Sequence, residues 1–209
     1  MLINYDPISM HDSDQVRSHP WRKTEYNERP GFYSNFITNP ELIPDVLEDF
    51  SPYADKPAVQ TFYRFLRWIN GHESQLETND CALRDSVIDN PDGVFNFSHK
   101  IDGRVEFFYR DHKMNCRDDY VIWLFRMTSL YLQVERPDFL NGLITMQLAP
   151  TDFINLPTNE SAGHRIRLSF HAYGNGDGEV WSALRTTFEC IRKVTERLNI
   201  AMTEGPLFP

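Results

Sequence analysis

Apolar residues recur at helical spacing in three stretches of the chain. Between Pro57 and Gly71, the residues Val59, Phe62, Tyr63, Leu66 and Ile69 form one stripe, with the proline placed as a first helical residue and the glycine as a stop. A second helix is predicted from Tyr120 to about Val134, with Asp118 or Asp119 as its cap and Pro137 ending it. The third, from about Gly178 to Leu198, repeats Val180, Leu184, Phe188, Ile191, Val194 and Leu198, and Asp177 is expected to cap it. The run from Tyr120 contains Arg126, Thr128, Ser129 and Gln133 and falls short of the roughly 20 apolar residues a membrane span needs. It reads as a core helix.

Alternation marks the strands. Along Arg165 to Tyr173, Ile166, Leu168, Phe170 and Ala172 point one way, and Arg165, Arg167, Ser169 and His171 the other. Leu143 to Leu148 predicts a neighbouring strand. The stretch VFNFSHKIDGRVEFFYRD predicts a hairpin whose three-residue loop, Ile101 to Gly103, pairs position 99 with 105 and 97 with 107. That register gathers Phe95, Phe97, His99, Val105, Phe107 and Tyr109 on one face. Lys100, Arg104, Glu106, Phe108 and Arg110 fall on the other.

Residues 72 to 93 are polar and end in turn signals, predicting a binding loop with one helical turn near Ala82 to Val87. Residues 1 to 50 carry Pro7, Pro20, Pro30, Pro40 and Pro44 with no sustained period. Their aromatics, among them Trp21, Tyr26, Phe32, Tyr33 and Phe36, suggest an arm laid on the domain, with a short helix from Pro40 to Phe50. The expected organisation is therefore an N-terminal arm over 1–50 and a single α+β domain over 51–209. Its core would be an antiparallel sheet built from two ββα-like units, with two long helices packed on one face.

Composition narrows the function. The 209-residue chain has a formal net charge of -9 and a pI near 5.2, which excludes a protein that coats nucleic acid or anionic membrane through clustered bases. Cys81, Cys116 and Cys190 form no C-x-x-C pair and no disulfide framework. The opening residues have no basic segment followed by an apolar one, so a secretory signal is not expected. Together these features predict a soluble cytoplasmic protein, and they leave homo-oligomerisation open.

Motif chemistry is sparse. Gly174, Gly176 and Gly178 precede the last helix as a phosphate loop would, but Asp177 and Glu179 occupy the positive helix end and no Lys-Ser/Thr pair follows. The run reads as a turn. His112 is spaced from Cys116 as in some zinc sites, yet no second pair is nearby, and the hairpin register sets His99 about 23 Å from His112. No metal and no cofactor is predicted. Cys81, between Asp80 and Arg84, would be a nucleophile only with a lowered pKa and an unidentified His as base.

The polar strand faces carry more. Arg104, Phe108, Arg110, Arg165, Arg167 and His171 would make a basic, aromatic-bearing face on an acidic protein, suited to an anionic small molecule or an acidic partner segment. The expected function is a binding or interaction protein that uses this face or the 72–93 loop. The alternative is an enzyme on an anionic small substrate with His171 as general acid/base.

Overall fold

The computed structural model describes residues 1–6, 16–20, 34–83, 96–138, 141–156 and 161–204. Among these residues a six-stranded, mostly antiparallel sheet is accompanied by five helices. The strands are β1 (Leu2–Asp6), β2 (Arg17–His19), β3 (Leu76–Leu83), β4 (His99–Tyr109), β5 (Gly142–Phe153) and β6 (Ala162–Gly174). The helices are α1 (Ile43–Val46), α2 (Pro57–Ile69), α3 (His112–Asn115), α4 (Asp118–Glu135) and α5 (Asp177–Thr203). The sheet runs β1-β5-β6-β4-β3, and β2 also pairs with β5. β1 lies parallel to Leu143–Gln147 and β2 parallel to Thr151–Phe153, so both use the same flank of β5 in succession.

The periodic stripes bury as their spacing dictates. In α2, Pro57 is at the first turn, Asn70 is the C-cap and Gly71 follows it. α5 buries Val180, Leu184, Phe188, Ile191, Val194 and Leu198 against the sheet, α2 and α4. The N-cap of α5 is Gly176 at φ 113°, a left-handed conformation that glycine adopts without strain, and Asp177 is the first helical residue. At α4 the cap position falls to Arg117, whose guanidinium holds Asp119 in the first turn. α4 is apolar around much of its circumference and leaves Ile122, Leu130 and Val134 exposed. No helix of the described residues is long and apolar enough to cross a membrane.

The hairpin expected at Ile101–Gly103 does not form. β4 runs straight through Asp102 and Gly103, pairing His99–Phe107 with β6 on one side and Gly103–Tyr109 with β3 on the other. The glycine is needed for close approach and not for a turn. A Cβ at position 103 would lie 2.3 Å from the Ala82 carbonyl oxygen and 2.7 Å from the Phe170 ring, which packs over the gap. The left-handed residue lies earlier, at Asn96. Alternation survives, because a straight strand and the expected loop give the same parity: Ile101, Val105, Phe107 and Tyr109 face the helices. Phe95 lies outside the described residues.

Within the polar 72–93 stretch, Leu76–Leu83 is strand β3, so Ala82 and Leu83 are extended and not helical; residues 84–93 lie outside the described part. A bulge between Thr78 and Cys81 sets two residues, Asn79 and Asp80, opposite Glu106. Residues 40–53 form two 3₁₀ turns around α1, and Ile43, Leu47 and Phe50 join the core. Trp21, Tyr26, Phe32 and Tyr33 lie outside the described residues.

Candidate functional site

The face of the sheet opposite α5 collects the polar members of each strand together with Phe108. β4 contributes Lys100, Asp102, Arg104, Glu106 and Phe108; β6 contributes Arg165, Arg167, Ser169 and His171. Pairing with Thr151 and Phe153 brings Arg17 and His19 of β2 to the same side.

At its centre Glu106 is fully buried. Its Oε2 accepts from Arg165 Nε at 2.5 Å and its Oε1 from Arg167 Nε at 2.6 Å, with Arg165 Nη2 also reaching Oε1 at 3.5 Å. Arg165, itself buried, also donates to the Pro150 carbonyl and, at 2.9 Å, to Thr151 Oγ1. Asp80 takes Arg17 and, at 2.7 Å, Arg104. Four guanidinium groups thus share two carboxylates. A buried charge is tolerable only when paired and hydrogen-bonded, and this network meets that condition for Glu106 and Arg165.

Burial pushes the Asp80 carboxyl up, but the charges and hydrogen bonds of Arg104 and Arg17 outweigh it and hold its pKa below the ordinary carboxylate value. A group depressed in the folded state stabilises fully above its unfolded pKa, and that stabilisation is lost as pH falls through the folded value. Asp80→Asn is therefore expected to be less stable than wild type at pH 7 and to lose less of its stability between about pH 4 and pH 2. Urea denaturation at stepped pH checks this; parallel acid limbs for the two proteins would contradict it.

The six residues expected to bind separate into groups. Arg104, Arg167 and His171 line one cleft of about 210 Å³ together with Ala82, Asp102, Gly103 and Ser169. Arg165 lies beneath the surface in the Glu106 network, and Phe108 is buried against Phe153. Arg110 turns to the end of α2, where its Nη2 donates to the Gly71 carbonyl at 2.7 Å and to those of Ile69 and Leu76. His171 Nδ1 stands 3.7 Å from Asp102 Oδ2, beyond hydrogen-bond length. Burial, followed by the charges of Asp80 and Glu106, pushes the Cys81 thiol well up, the reverse of what thiolate chemistry requires.

A second cluster was not legible in the sequence. His112 has neither Cys116 nor His99 as its partner in a ligand set; it meets His19 and Glu77, which arrive from β2 and β3. Glu77 Oε1 is 2.8 Å from His112 Nε2 and 3.1 Å from His19 Nε2. His19 and Glu77 are buried, while His112 sits at the rim with 19% of its side chain exposed. The rings of Phe108 and Phe153 wall the cluster, with Phe108 4.7 Å from His19 and Phe153 5.2 Å from His112. Burial pushes the Glu77 carboxyl up, yet the hydrogen bonds and charges of His112 and His19 prevail and lower it. No spacing rule predicts such a set, since its members come from three elements that only the sheet brings together.

The glycine run is a turn. Asp177 binds Lys56 Nζ and Trp181 Nε1, each at 2.8 Å, and Glu179 accepts from the Asn175 amide N–H and from Asn141, so the chain's own carboxylates occupy the end of α5. His99 is half-buried and accepts from the Gly176 amide at 3.1 Å, tying the start of β4 to this turn. No protein-family model matches the chain, and neither the curated proteins nor the solved structures contain a match.

Proposed function

We propose that this is a binding protein that holds a small anion in the cleft formed by Arg104, Arg167, Ser169 and His171. The observation that carries the reading is the convergence of those side chains, from two paired strands, on one concavity of about 210 Å³. That volume is below the range of about 300–1,000 Å³ typical of drug-sized ligands and suits a phosphate or a short carboxylate. Arg104 and Arg167 are held in place through their Nε atoms by Asp80 and Glu106, which orients the planar forks before a ligand arrives. The order β3, β4, α4 followed by β5, β6, α5 supports reading the core as two strand-strand-helix units with the cleft at their junction.

Calorimetric titration with phosphate, pyrophosphate and a small dicarboxylate tests the proposal. Saturable binding that weakens with ionic strength is expected for at least one of them. Arg104→Gln should weaken it about tenfold or more, the cost of one charge-assisted hydrogen bond. Absence of saturable binding across the set, or unchanged affinity in Arg104→Gln with an intact fold, would sink the idea. His171 gives the alternative reading its specific observation, since it lines the same cleft. Turnover of the bound anion that disappears in His171→Ala would convert holding into catalysis.

A further inference from the structure

We propose that His19, Glu77 and His112 form a second, separate site that binds a divalent transition-metal ion. Two imidazole nitrogens and one carboxylate oxygen make a borderline donor set suited to Zn²⁺ or Fe²⁺, and these three ligands, the ones found among the described residues, leave room in a tetrahedral shell for a fourth donor. The cluster lies at Phe108 on β4 and the anion cleft spans Asp102 to Arg104, about 13–20 Å away along the strand at about 3.3 Å per residue.

The convergence itself is the first argument. Both Nε2 atoms address the same oxygen, Glu77 Oε1, at 2.8 and 3.1 Å, and all three donor atoms lie within 4.8 Å of one another. Ligands about 2.0–2.2 Å from a tetrahedral ion stand about 3.4 Å apart. His19 and Glu77, 3.1 Å apart, are already near that spacing, and His112 at the rim has to draw back from 2.8 Å.

The second argument concerns hydrogens. The Asn79 amide nitrogen faces Glu106 Oε2 at 3.5 Å, and an ionised carboxylate only accepts. The other end of the same amide, Oδ1, therefore faces His19 Nδ1 at 3.0 Å, and Nδ1 carries the hydrogen. With Nδ1 carrying a hydrogen, Nε2 faces the carboxylate oxygen in a buried, aromatic-walled place, an arrangement that a cation between them satisfies, whether a second ring proton or a metal ion. A metal-bound imidazole is ordinarily held in this way, its far N–H donated to a fixed oxygen that sets the tautomer and the ring plane. The bulge in β3 that puts Asn79 opposite Glu106 thus also orients His19.

Cobalt titration of the full-length chain, after chelator treatment and dialysis, tests the site. Visible d–d absorption should grow to one equivalent of Co²⁺ and be displaced by Zn²⁺. His112→Ala and Glu77→Gln should each weaken binding at least 100-fold, and Asn79→Ala, which removes the orienting oxygen together with the amide nitrogen that faces Glu106, about 10- to 100-fold. His112 is the least buried of the three, so its variant is the one expected to keep native circular dichroism. A folded wild-type chain that takes up no Co²⁺ overturns the proposal, as does equal affinity in His112→Ala. Should the variants misfold, thermal unfolding of the wild type decides: a midpoint raised by Zn²⁺ and restored by chelator supports the site, and an unmoved midpoint refutes it.

Discussion

Glu106→Gln is expected to destabilise the protein by about 3–5 kcal/mol, the cost of removing one partner from a buried ionic network. The substitution preserves shape and removes only the charge. It leaves Arg165, fully buried, and Arg167 facing an amide that must turn its donor toward one of them. In urea the midpoint should fall by about 1–3 M with little change in slope, because the exposed area on unfolding is the same. A loss below about 1 kcal/mol would mean that Glu106 contributes little net charge pairing to the fold. Combining Glu106→Gln with Arg167→Met should cost less than the sum of the two single changes, since the second removes a charge the first has abandoned.

Phe188→Ala is expected to cost a similar amount, about 3–5 kcal/mol, for a different reason. Phe188 projects from α5 into the contact between helix layer and sheet. Its ring stacks on Phe62 of α2 with centroids 4.4 Å apart and meets Phe170 of β6 edge-on at 5.0 Å, while Phe62 stacks in turn on Phe50 at 5.0 Å. All four rings are fully buried. Truncation opens a cavity among three elements whose backbones are fixed by other contacts, so collapse is restricted. Phe188→Leu refills most of the space and should cost well under half as much. Equal losses from the two variants would show that ring geometry outweighs volume here.

The helices were legible because their stability comes from a repeating local pattern: the stripes of α2 and α5 name the residues that bury. Strand parity was legible for the same reason, and Arg104, Arg167 and His171 do share a face and a cleft. What failed was long-range. Asp102-Gly103 has the composition of a turn, and only Phe170, distant in sequence, shows why glycine is needed in a continuous strand. β3 escaped notice because a bulge interrupts its alternation and because it buries Glu77 and Asp80, which a hydropathy pattern reads as solvent-facing. Alternation told which way Arg165 points but not what lies over it. Arg110 left the expected group because three backbone carbonyls near the end of α2 offered its guanidinium acceptors close by. Of the His19–Glu77–His112 cluster only His112 stood out in the sequence, through its spacing to Cys116, and its actual partners carried no signal.

The docking of β1 and β2 on one flank of β5 sets an order of assembly. The Met1 amine donates to the Pro137 carbonyl, 136 positions away, and Arg17 and His19 reach their places only when Thr151 and Phe153 are there to pair with them. Contacts of such sequence separation are the slowest to form, because loop closure precedes any reward. During synthesis β1 and β2 must wait until β5 has been made, nearly three quarters of the way along the 209-residue sequence. His19 and Arg17 therefore arrive late, and they complete both the proposed metal-ligand set and the carboxylate pairing beside the cleft. The proposed metal site cannot exist until β2 has docked on β5, so its occupancy would report that this flank of the sheet has closed.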